Sequence, residues 1–118
     1  MLDKHLALRE RTKQFALRVL KLSSSLPKTD AGRTIGRQLL RSGTSVAANY
    51  RAVGRARSQA EFVAKLGVVI EEADESIFWL ELLVDGGIVP QPRLDELTRE
   101  ANELLAIFVA SQKTAKGL

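Results

Sequence analysis

Five arginines carry the clearest chemistry in this sequence. Arg33, Arg37, Arg41, Arg51 and Arg55 recur at steps of four, four, ten and four residues. At about 100° per residue they fall within an arc of roughly 80° on one side of a helix. No acidic residue stands four positions from any of them in that segment. A guanidinium presents a planar fork of donors that matches phosphate oxygens, so one reading is a track for a phosphate backbone. The alternative is a set of ion pairs to the acids of the next segment, Glu71, Glu72, Asp74, Glu75 and Glu81, within or between subunits. An idle solvated face is a third. Tyr50 is the only aromatic interleaved with the arginines, and it points coreward. A phosphate track here therefore reads backbone rather than base sequence.

Charge along the chain is divided in the same sense. Residues 1–57 carry thirteen Lys and Arg against three acids, a net charge of +10. Residues 58–118 carry five against eleven, a net charge of −6. That asymmetry points to a polyanionic partner, or to halves that neutralise each other in the fold or assembly.

Other chemistry is scarce. There is no cysteine, which removes disulfides, thiolate nucleophiles and Cys-based metal sites and fits a reducing cytosol. The single histidine, His5, lies near a terminus and reads as a solvated polar residue. Glu71, Glu75 and Asp74 have a spacing that can hold a hard cation, but acids so placed ordinarily form a solvated or ion-paired face. Phosphate-binding loops, dinucleotide-binding glycine motifs and the nucleophile elbow of hydrolases are missing. Ser58 is explained as a helix cap. The expectation is no enzyme, no catalytic residue, no metal and no cofactor. A charged N-terminus without an apolar core, and the lack of any apolar run near ~18 residues, predict a cytoplasmic protein with no membrane partner.

Four helices must position these residues. At 118 residues, 45% hydrophobic and 27% charged, the chain suits one domain, residues 1–118, with a substantial core. Aromatics are few, at 5%, so packing falls to Leu, Ala and Val. The first helix covers about residues 2–24, with Leu8, Phe15, Val19 and Leu22 on one side. Pro27 interrupts, and Thr29 or Asp30 caps a second helix over about 30–57. Ile35, Leu39, Val46, Tyr50 and Val53 form its core face. Gly32, Gly36, Gly43, Ala47 and Gly54 lie at the border, where a neighbouring helix must approach closely. Ser58 and Glu61 form a capping-box pattern for a third helix over about 59–85, ended by Gly86-Gly87. Pro90 and Pro92 introduce a fourth over about 91–113, with Leu94, Leu97, Ala101, Leu104, Leu105 and Phe108 inward.

No period-two alternation supports a strand, so the fold class is all-α, an up-down-up-down four-helix bundle. The end of the third helix is apolar nearly all round, which exceeds what one core needs. Phe78, Trp79, Leu82 and Leu83 are the expected oligomer interface; the alternative is a segment that is simply deep core, with Trp79 partly exposed.

A resemblance covers nearly the whole chain. Residues 39–83, LLRSGTSVAANYRAVGRARSQAEFVAKLGVVIEEADESIFWLELL, resemble the small four-helix-bundle proteins related to those encoded in intervening sequences of large-subunit ribosomal RNA genes. The landmarks are Arg41-Ser42, Ser45-Val46, Asn49, Arg57-Ser58, Glu61-Phe62, Lys65, Glu72-Ala73 and Glu75, with Leu26-Pro27 before them. Ala52 departs from the pattern, which often has an acid after the Asn. The resemblance implies an antiparallel bundle assembling as a ring-like homopentamer. The same fold is similar to the accessory variability protein of diversity-generating retroelements, a basic pentamer that binds nucleic acid and a reverse transcriptase. The combined expectation is a non-enzymatic homo-oligomer that binds nucleic acid, RNA or RNA/DNA, through the five arginines, with a protein partner also in view. The alternative is an interaction scaffold whose arginines bridge subunits.

Overall fold

The computed structural model describes residues 2–118. They form α1 (Leu2–Ser24), α2 (Asp30–Val53), α3 (Gln59–Asp85) and α4 (Gln91–Ala115), with no strand among the described residues. Of the two candidate caps for α2 it is Thr29 that works: in an extended conformation, its hydroxyl accepts the Gly32 amide at 3.1 Å. Ser58 caps α3 by accepting the Glu61 amide at 3.0 Å. Only half of that capping box closes, because Glu61 turns its carboxylate to Arg57 at 3.7 Å and Lys65 at 3.9 Å. α3 stops at Gly86-Gly87, and Gly87 takes the left-handed conformation, φ 72°, that a side chain resists.

α2 ends earlier than expected, at Val53 rather than about Arg57. The amides of Gly54, Arg55 and Ala56 reach back only three residues, to the carbonyls of Arg51, Ala52 and Val53. Across the helix pair, Gly54 leaves room for α1. His5 of α1 packs on this turn so closely that a Cβ at Gly54 would sit 2.3 Å from its Nε2. His5 is thus not the solvated residue the sequence suggests. It is half-buried and stacked on Tyr50, ring centres 5.0 Å apart, and Tyr50 stacks in turn on Phe108 of α4 at 5.5 Å.

The expected inward faces are buried. Phe15 and Val19 of α1, Leu39, Val46 and Val53 of α2, Leu66, Val69 and Leu80 of α3, and Leu104 and Phe108 of α4 meet in one core. α1 packs on α2, α2 on α3 and α3 on α4, while the α1–α4 seam is the slimmest. Two arginines tie α1 and the connection after it to α4. Arg11 grips Glu100 with two bonds of 2.8 and 2.7 Å and reaches Glu103 at 2.6 Å, and Arg93 donates to Ser25 at 2.7 Å. Both glutamates push the Arg11 pKa up through these bonds, Glu100 first.

Glycine sets the α1–α2 distance. A Cβ at Gly43 would lie 2.8 Å from a methyl of fully buried Val19, so no larger residue fits without displacing the core. Beside it Ser42 and Ser76, both fully buried, are satisfied by each other. The Ser76 hydroxyl donates to that of Ser42 at 2.9 Å, which has the Leu39 carbonyl at 3.3 Å for its own proton. That polar pair bridges α2 and α3 inside the core. The result is a rod of 45 × 22 × 21 Å, with one face of α2 open along its length.

Candidate nucleic-acid interface

α2 continues unbroken through Ser42-Gly43-Thr44, so Arg33, Arg37, Arg41 and Arg51 belong to one helix. At 1.5 Å per residue, Arg33 and Arg51 stand about 27 Å apart along the axis. All four are exposed, as is Arg55, but Arg55 lies on the turn after the helix and not on it.

Arg41 takes a different role from its neighbours. Its guanidinium reaches Glu72 at 3.3 Å and makes a short contact with Glu75, both on α3. The indole N–H of Trp79 also donates to Glu75, at 3.0 Å. Hydrogen bonding by Trp79, and then by Arg41, holds the Glu75 carboxyl below its ordinary pKa, while Glu75 pushes that of Arg41 up. Arg41 therefore fits the ion-pair alternative, and within one chain. Among the described residues, Arg33, Arg37, Arg51 and Arg55 make no ion pair. Expected acidic partners Glu71, Asp74 and Glu81 likewise make none, and all three are exposed.

The five-arginine stripe thus resolves into two free groups flanking a neutralised centre. Arg33 and Arg37 form the first, at the start of α2. They share a pocket of 240 Å³ with Lys28 of the α1–α2 connection. Arg51 and Arg55 form the second. Lys28 escapes a helical-wheel analysis because it sits in the connection, yet the Gly32 position just after it was a signal that this loop lies tight against α2.

The expected interface on α3 divides as well. Phe78 is 50% exposed, and Trp79 and Leu82 are half-buried. Leu83 is a correction: it is fully enclosed in the chain's own core and cannot belong to an outer face. Phe78 packs edge-on against Trp79, ring centres 5.0 Å apart. Val68 of α3 and Leu6, Leu17 and Leu20 of α1 are further exposed apolar side chains that the inward-face patterns did not mark. No grouping of three or more His, Asp or Glu among the described residues is arranged to hold a metal ion. No helix among them is long and apolar enough to cross a membrane.

Taken together, these features define a small all-α protein of four helices with an exposed basic helix. Residues 4–110 match the family described as 23S rRNA-intervening sequence protein, and the chain belongs to that family. It is also similar in structure to a protein of unknown function of the S23 ribosomal protein family from Bacteroides thetaiotaomicron. The TM-score is 0.86 at 29% identity, covering 93% of this chain and 98% of that one. No curated protein matches the chain.

Proposed function

We infer that this protein is a non-enzymatic, oligomeric nucleic-acid-binding protein of the cytoplasm that holds structured RNA by its backbone. The observation that carries the reading is the contrast within α2: Arg41 is spent on Glu72 and Glu75, while Arg33, Arg37 and Arg51, with Arg55 beyond them, face solvent with no carboxylate. Cations grouped without counter-charge raise the local potential and favour a polyanion. RNA is the polyanion we favour, because the similar solved structure is described as a member of a ribosomal protein family.

In this reading an up-down bundle repeats around a ring, with Phe78, Trp79 and Leu82 covered by a neighbouring subunit. The homopentamer multiplies weak phosphate contacts into useful avidity. Such a particle suits an accessory factor to an RNA-handling enzyme such as a reverse transcriptase. Fluorescence anisotropy with labelled RNA hairpins of unrelated sequence is the test. Binding at low salt, with affinities that differ little between hairpins, is expected; no binding at low salt overturns the reading. The exposed acids Glu71, Asp74 and Glu81, which make no ion pair among the described residues, favour a second one, an interaction scaffold whose arginines bridge subunits. There the free arginines meet those acids on a neighbouring subunit, and Arg33→Ala and Arg37→Ala loosen the oligomer and leave any RNA affinity unchanged.

A further inference from the structure

The pocket between the end of α1 and the start of α2 differs from the rest of the basic face in being concave. Its lining brings together Lys28 of the connection, Arg33 and Arg37 from successive turns of α2, and Ser23 and Ser24 from the last turn of α1. The recess has a backbone origin. Gly32 has no side chain where a Cβ would fall 2.2 Å from the Pro27 carbonyl. The connection consequently folds onto the first turn of α2 and brings Lys28 round to the arginines. Pro27 and Leu40 supply apolar wall. No carboxylate lines the recess, since Asp30, though next in sequence, stands outside the lining. Among the described residues both serine hydroxyls bond only the Leu20 carbonyl, at 3.1 and 2.9 Å, and rotation frees either to donate into the pocket.

We propose that this pocket receives the terminal phosphomonoester of an RNA strand, with Lys28, Arg33 and Arg37 as the groups that hold it. The assignment rests on the RNA-binding reading above and adds a strand end to it. An internal phosphodiester carries one negative charge and has a sugar on each side. A terminal phosphate carries up to about two near pH 7 and has a sugar on one side only. Three cations around a recess favour the terminal group in charge, and the concavity favours it in shape. The open length of α2 toward Arg51 suits the internal backbone.

The test compares three oligonucleotides of one sequence, ending in a 5′-hydroxyl, a 5′-phosphate or a 3′-phosphate, by anisotropy at fixed ionic strength with the full chain. At least one phosphate-ended strand is expected to bind about fivefold tighter than the hydroxyl-ended one, the scale of one added contact between partly exposed charges. Lys28→Ala is expected to bring that ratio close to one. Arg51→Ala should weaken all three strands alike and preserve the ratio. Equal affinity for the three strands overturns the end-binding inference and leaves RNA binding in place. Absence of binding by every strand overturns both.

Discussion

Single residues set how closely α1 packs behind the basic face and how the fold answers to pH. Gly43 is required by the 2.8 Å that a Cβ would leave to Val19. Overpacking costs ~1–3 kcal/mol and alanine regains up to ~1 kcal/mol in helix propensity, so Gly43→Ala should lose about 1 kcal/mol in urea denaturation. Paired with Val19→Ala, it should lose less than the two single changes added together, because the second opens the space the first needs. His5 gives the fold a pH dependence. Burial, and then Arg9, lower its pKa below the ordinary 6.5. Between the folded and unfolded values the unfolded chain holds more protons. The contribution is therefore complete above pH 6.5 and is lost as pH falls toward and through the folded value. Denaturation midpoints measured from pH 8 to pH 5 should fall more steeply for the native chain than for His5→Phe, which keeps a ring over Tyr50.

At the level of elements, the α1–α4 seam is the place where the bundle is most easily opened. Arg11, with its paired bonds to Glu100 and its bond to Glu103, ties the two helices near their middle. Arg11→Ala should cost roughly 1 kcal/mol, as a partly exposed ion pair does, and the loss should concentrate in faster amide exchange along α1. The helices themselves were legible in the sequence. Pro27, Ser58 and the glycines at 86 and 87 act locally, and the three- and four-residue spacing of Leu and Val marks an inward face wherever only one face is buried. What the sequence could not convey depends on contacts between segments far apart. His5 is half-buried because it stacks on Tyr50 and fills the space beside Gly54, some fifty residues later in the chain. Arg41 has no acid within reach on its own helix, so its pairing with Glu72 and Glu75 emerges only when α2 and α3 lie side by side. Leu83 follows the same logic: in an apolar run, periodicity alone did not separate it from Leu82, yet packing buries one and half-exposes the other.

For the molecule as a whole, two surfaces call for partners: the basic side of α2 and the apolar side around Phe78. A 50% exposed Phe78 packed on Trp79 is expected to lie between subunits. Phe78→Asp should therefore shift the mass measured by light scattering from oligomer to monomer while leaving the helical circular dichroism unchanged. An unaltered mass would place the interface elsewhere. The central claim is that the free arginines, and not the paired one, hold RNA. The most direct measurement is the salt dependence of hairpin binding for the native chain, for Arg37→Ala with Arg51→Ala, and for Arg41→Ala. Each lost phosphate contact should lower the slope of log K against log salt by about 0.9 on duplex RNA, on the double-helix scale. The account predicts a clearly shallower slope and weaker binding for the double variant, with Arg41→Ala close to the native chain. Equal slopes for the native chain and the double variant, or a larger loss from Arg41→Ala, would contradict it.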